Sequence, residues 1–208
     1  MGRGRAANYD DQREMILDRA AALFAQRGSA GTSMNQVAEA CGLSKATLYH
    51  YYTDKDALVA SIAQGHVARL QEIVREALAL EGLTPDERMR HMIRQLVDEY
   101  ANAQNAHRVL TEDVRFLQPE VRERVLDQER EVVAGFAQVI GTLRPDLKAA
   151  ALSKPLTMLL FGMINWMFTW MKADGVLDYD DMAPIVADLF LGGLPAVKAP
   201  AAVTADVG

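Results

Sequence analysis

The chain has 208 residues, half of them apolar and 24% charged, an ordinary globular balance with length enough for one sizeable domain or a small module joined to a larger one. Formal net charge is −6, yet the seven basic residues through position 57 (Arg3, Arg5, Arg13, Arg19, Arg27, Lys45, Lys55) are matched by seven acidic ones, so the excess acid all lies further on and a nucleic-acid partner stays open for the N-terminal part. Cys41 is the only cysteine, which excludes an intrachain disulfide and gives no sign of an oxidising compartment.

Helical periodicity dominates and no strand alternation is sustained. Asp10 or Asp11 is expected to cap a first helix whose apolar face is Ile16, Ala20, Leu23 and Phe24, with Gly28 as its stop. Ser33 and Gln36 have capping-box spacing and open a short second helix that ends at Gly42. Ser44 caps a third. Thr53 and Asp56 have the spacing to open a fourth that runs to about Leu80 and stops at Gly82. Thr84-Pro-Asp-Glu87 is a further capping box with proline in the first turn. Pro119 and then Pro145 or Pro155 mark later starts, and a final helix covers roughly Asp181 to Leu191. The expected fold is all-α, with about nine helices. Residues 1–57 would form a three-helix module and 58–195 a larger ligand-binding and dimerisation bundle. Residues 196–208, which lack large apolar side chains, would form a flexible tail.

Residues 33–52 have the shape of a helix-turn-helix, whose second helix enters the DNA major groove. Met34, Val37, Ala38 and Cys41 share one face of the first helix, and Gly42 supplies the turn. Leu48 and Tyr52, at i and i+4, seat the second helix. The other face then carries Lys45, Ala46, Thr47, Tyr49, His50 and Tyr51. Lys45 suits a phosphate or a guanine edge, and the Thr47 methyl suits a thymine methyl. Tyr49, His50 and Tyr51 can donate to phosphate oxygens, which sets register rather than sequence choice. Thr32, Ser33, Ser44 and Lys55 stand at helix starts, where backbone amides also favour phosphate. Arg3 and Arg5 would add long-range attraction from a loose arm. The alternative, that these rings only pack the module, is preferred for Tyr52.

The stretch "TSMNQVAEACGLSKATLYHYYTDKDAL", residues 32–58, resembles the DNA-binding region of the TetR family of bacterial repressors. The resemblance covers about residues 10–60 strongly, and the family's plan of some nine helices covers the chain. It implies a homodimer that binds a double-stranded operator and releases it when a small-molecule effector binds.

Residues 155–171 carry no charge, but Thr157, Gly162, Asn165 and Thr169 interrupt the run and no second span exists, so no membrane partner is expected. A helix apolar on all sides is expected to be buried, and this one, with Met182 to Leu191, is the natural candidate for a dimer interface. Its Met158, Gly162, Trp166 and Trp170 stripe suits either that interface or the wall of a ligand pocket. Asn165 would need a partner across the dimer or on a ligand. The segments "FGMINWMFTWMKADG" and "AHRVLTEDVRFLQPEVRERVLDQEREVV" resemble acyl-coenzyme A-sensing regulators of the same family, most of all those of phenylacetate catabolism, which respond to phenylacetyl-coenzyme A. That resemblance places an aryl ring near Phe116, Trp166 and Trp170 and the coenzyme's phosphates near Arg108 or Arg115. The plainer alternative is that these arginines pair with nearby Glu112, Glu120, Glu123 and Asp127. Other effectors stay open, such as a fatty acyl thioester or a drug-like efflux substrate.

An enzyme is the rival class, but there is no nucleophile elbow, zinc-protease helix, phosphate loop or Cys/His metal spacing. No catalytic residue, metal or resident cofactor is expected. A purely structural helical dimer would leave the polar face of the third helix unexplained. The N-terminal "MGRGRAANYDD" has no apolar run to serve as a signal peptide, and Ala6 replaces the Ser or Thr that myristoylation of Gly2 would want, so a cytoplasmic location is expected.

Overall fold

A computed structural model describes residues 3–171 and 175–200. Among them are ten α-helices and no strand: α1 (Arg3–Arg27), α2 (Met34–Ala40), α3 (Lys45–Tyr51), α4 (Lys55–Ala79), α5 (Pro85–Asn102), α6 (Gln104–Glu112), α7 (Pro119–Leu143), α8 (Pro145–Ala149), α9 (Ser153–Trp170) and α10 (Tyr179–Gly193). Single 3-10 turns follow α6 (Val114–Phe116) and α10 (Leu194–Ala196). Ten helices rather than nine arise because Pro145 and Ser153 both open one. Pro145 cannot extend α7, since it lacks the N–H and disfavours helical geometry at Arg144, whose φ is −136°. Pro155 falls in the first turn of α9, where a missing N–H costs nothing.

Local signals place most boundaries. Ser33 accepts from the Gln36 amide while the Gln36 side chain accepts from the Ser33 amide, and Thr84 and Glu87 do the same before α5. Three starts differ from expectation. α1 begins at Arg3, so Asp10 and Asp11 lie within it and the arm expected at Arg3 and Arg5 is helical backbone. The stacking of Tyr9 on Tyr51, with ring centroids 4.7 Å apart, gives that early stretch a tertiary reason to stay helical. Asp54, not Thr53, caps α4 by accepting from the Ala57 amide at 2.7 Å. Asp178 caps α10 through a box with Asp181, which starts that helix two residues before Asp181.

The helices fall into two compact units: Met1–Ala68 with Ala103–Gln128, and Arg69–Asn102 with Glu129–Gly208. The chain leaves the first unit after Ala68 and returns to it at Ala103. In that unit α1 packs on α2 and α6, and α2 packs on α3. Its core includes Ile16, Ala20, Phe24, Val37, Leu48 and Leu58. In the second unit α5 packs along α10, around Met89, Met92, Ile93, Leu96 and Phe190. There Arg88 donates to the carbonyls of Ala77, Leu78 and Leu80, which the end of α4 leaves without helical partners. Of the expected tail, residues 201–208 lie outside the described residues, as does Gly2.

Within the single chain α9 is buried along one face, and the burial of its other face that the sequence leads one to expect would need a second copy. Leu156, Leu160, Ile164 and Met167, spaced by four, four and three, are buried, together with Thr157. Met158, Leu159, Trp166 and Trp170 on the opposite face are exposed. No helix among the described residues is long and apolar enough to cross a membrane.

Candidate nucleic-acid interface

The interface is built on α3, which two devices hold in place. Gly42, at φ 65°, takes the left-handed turn that lets the Leu43 amide donate back to the Ala38 carbonyl. Ser44 then caps α3, accepting from the Thr47 amide at 3.1 Å. Leu48 is fully buried, and Tyr52 is buried with its hydroxyl accepting from Arg13 Nε at 3.1 Å.

With those anchors inward, Ser44, Lys45, Ala46, Tyr49 and His50 are exposed, as is Ser33 at the start of α2. Tyr49 keeps 42% of its surface. The Lys45 ammonium lies 5.7 Å from the centroid of the Tyr49 ring, which holds it over the same face. Thr47 is half-buried, its hydroxyl 2.8 Å from that of Ser44. The result is a short helix presenting one cation, one imidazole and several hydroxyl groups with no carboxylate among them. Such a surface can take phosphate oxygens and base edges together.

Three expected contacts are engaged within the protein. Thr32 is buried and donates to the Gly28 carbonyl. Lys55 donates to the Thr32 carbonyl at 3.1 Å. Tyr51 donates to Gln12 Oε1 at 2.9 Å and stacks on Tyr9. The support that α1 gives through Tyr9, Gln12 and Arg13 was not read from the sequence, although the i, i+4 spacing of Tyr9 and Arg13 already put both on one face.

The residues expected to hold an effector are divided between the two units. Arg108, Arg115 and Phe116 belong to the first unit, and Gly162, Asn165, Trp166 and Trp170 to the second. Arg108 bonds to Glu112 at 3.1 Å, the plainer alternative, and reaches the Ala25 carbonyl. Arg115 lies over the exposed Phe116 ring at 4.7 Å. Trp166, 68% exposed, and Trp170 stand on the outer face of α9 rather than lining an interior slot. Asn165 Oδ1 is buried with no hydrogen-bond partner. Cys41 ends α2 half-buried, and burial pushes its thiol up, away from nucleophilic use.

A buried histidine pair links α4 and α6. His66 Nε2 of α4 lies 3.2 Å from His107 Nδ1 of α6. Burial lowers His66 to about 4, and burial with the neighbouring charge of His66 lowers His107 to about 3. The unfolded chain therefore binds protons that the folded chain refuses between the ordinary histidine value and about 4. Stability is full above that ordinary value and falls as pH drops through the window, by up to about 1.4 kcal/mol per unit for each histidine. Urea unfolding from pH 7 to 4.5 should show that slope, and His66→Gln with His107→Gln should flatten it.

Residues 16–62 match the model for bacterial regulatory proteins of the tetR family, and residues 82–194, more than half of the chain, match the tetracyclin repressor-like C-terminal domain. The chain belongs to the TetR family. It is a TetR-type transcriptional regulator. Family members bind DNA operators, typically as dimers. A TetR-family regulator from Bordetella parapertussis is 35% identical, with a TM-score of 0.81 over 90% of this chain and 98% of its own. The repressor KstR2 of Rhodococcus jostii is 25% identical over 88% of this chain and 91% of its own length. AibR, crystallised with isovaleryl coenzyme A and operator DNA, shares the fold at 23% identity, with a TM-score of 0.75 over 86% of this chain and 97% of its own. The match to the activator FasR of Mycolicibacterium smegmatis, 29% identical over 125 residues, spans 56% of that relative's length.

Proposed function

We propose that this chain is a cytoplasmic homodimeric repressor whose α3 enters the major groove of each half of a palindromic operator, and that an acyl-coenzyme A thioester, phenylacetyl-coenzyme A, releases it. The observation that carries the DNA assignment is the exposed, carboxylate-free face of Lys45, Ala46, Tyr49 and His50, held outward by buried Leu48. Ser33 and Ser44 add phosphate contacts beside two helix starts. Thr47 lies at the edge of the same face. Thr32, Lys55 and Tyr51 support these groups from behind.

Dimer formation is supported by the outer faces of α9 and α10. Met158, Leu159, Trp166, Trp170, Ile185 and Leu189 are all exposed in the single chain, more large apolar side chains than a soluble monomer leaves in one place. Gly162 stands among them with open space around it, which lets a partner helix approach closely. Trp166 and Trp170 are accordingly assigned to the partner contact and not to the aryl ring.

The thioester assignment rests on the likeness of residues 106–133 and 161–175 to acyl-coenzyme A sensors, with AibR as a same-fold protein that holds such a ligand together with DNA. Arg108 and Arg115 offer surface guanidinium groups to the coenzyme's phosphates. The effector acts only to the extent that it favours a state in which the two α3 helices no longer match successive grooves about 34–36 Å apart. Titrating the protein–operator complex with phenylacetyl-coenzyme A, isovaleryl-coenzyme A, phenylacetate and coenzyme A tests this. Release is expected with phenylacetyl-coenzyme A at the lowest concentration. Release by free phenylacetate alone, or by none of the four, rules the thioester out and leaves the repressor standing.

A further inference from the structure

We infer that Asp113 and Ser29 form a latch through which the position of α6 is coupled to the DNA-reading helices, with Asp113 as a positioning residue for operator binding. The inference rests on the DNA assignment above and goes beyond it by naming the coupling residues. Asp113 Oδ1 accepts from the Ser29 amide at 3.0 Å and from the Ser29 hydroxyl at 2.6 Å, across 84 residues of sequence and in a buried setting.

The cost of this arrangement argues for a purpose. Asp113 closes α6, its amide donating to the Val109 carbonyl, so its carboxylate stands at the negative end of a helix. It is also only 5% exposed. A carboxylate in that position loses both hydration and favourable dipole energy, and a buried charge is weak evidence for stability. What it does secure is geometric: two charge-assisted hydrogen bonds onto one serine.

That serine sits in a loop tied together by its own hydrogen bonds. The Thr32 amide donates to the Ser29 carbonyl, and the Thr32 hydroxyl to the Gly28 carbonyl. A Cβ at Gly31 would meet the Arg27 carbonyl oxygen at 2.5 Å, so the turn is closed tightly against the end of α1. The loop runs directly into Ser33, the cap of α2, and its Thr32 carbonyl accepts from Lys55 at the start of α4. A shift at the end of α6 is thus passed through Ser29 to the first turn of α2 and to Lys55. Arg108, donating to the Ala25 carbonyl, makes a second contact from α6 to the end of α1.

Coupling is reciprocal, so DNA must act on α6 if α6 acts on DNA binding, and no effector is needed to see it. The test is hydrogen exchange of the α6 amides with and without a duplex selected from random sequence by the wild-type chain. In the wild type the duplex should slow that exchange by about five-fold or more. Asp113→Ala, which removes both hydrogen bonds, should abolish the slowing, and Ser29→Ala, which removes the hydroxyl bond and keeps the amide bond, should weaken it, while Asp113→Asn, which keeps an acceptor oxygen, should retain it. Ser29→Ala carries the test if Asp113→Ala does not fold. A merely structural role would lower the melting temperatures of the variants and leave the slowing in place. Unchanged slowing in Ser29→Ala, or a wild type that binds duplex with α6 unaffected, overturns this inference alone. A wild type that selects no duplex overturns the DNA assignment as well.

Discussion

Replacing Leu159 and Leu189 together by aspartate should turn the proposed dimer into a monomer and weaken operator binding by about 100-fold or more, the factor that joining two binding modules typically contributes. Both side chains are exposed in the single chain, Leu159 at 66% and Leu189 at 65%. Both point out of the unit while Leu160, Ile164, Val186 and Phe190 are buried, so the substitutions leave the core of the unit intact. In a two-fold interface each change occurs twice and brings like charges together in a desolvated setting. Sedimentation and operator titration on one preparation check this. A variant that stays dimeric at micromolar concentration, or a monomer with undiminished affinity, would contradict the assignment of this face.

Leu48→Ala should destabilise the first unit by about 2–5 kcal/mol, the range for removing a fully buried leucine from a core. Leu48 has no exposed surface and is the only fully buried side chain of α3, so its loss frees the helix that the exposed face depends on. Tyr49→Ala, one position along and largely exposed, should shift stability by no more than about 0.5 kcal/mol while still weakening operator binding. Urea unfolding of the two variants beside each other measures the contrast. Equal midpoints would mean that α3 is not seated by Leu48.

The elements that the sequence allowed to be drawn are those coded within three or four residues. The boxes at Ser33 and Thr84 and the stop at Gly42 are hydrogen bonds and dihedral angles between near neighbours, so residue type alone implies them. The start of α1 was missed because Tyr9 is held by Tyr51, 42 positions away, while Asp10 and Asp11 looked like ordinary caps. Sequence points Tyr51 and Lys55 toward DNA because nothing local reveals Gln12 or the Thr32 carbonyl as their partners. α9 posed a different problem. Its residues are apolar around the whole circumference, so periodicity could not separate the side that faces α10 and the core from the side left outside. The Trp166 and Trp170 stripe therefore suits two uses, and local pattern does not separate them. The return of residues 103–128 to the first unit, with the Ser29–Asp113 contact inside it, has no counterpart in local pattern at all.

Fluorescence anisotropy of a labelled operator duplex across a salt series tests most directly whether α3 reads DNA. Lys45→Ala should weaken binding and reduce the slope of log affinity against log salt by about one unit, as the loss of one phosphate contact requires. Tyr49→Phe and His50→Ala should weaken binding while their melting temperatures stay at the wild-type value, because both side chains are exposed and neither anchors the helix. Wild-type affinity and wild-type salt slope in all three variants would contradict the assignment of α3 as the DNA-reading helix.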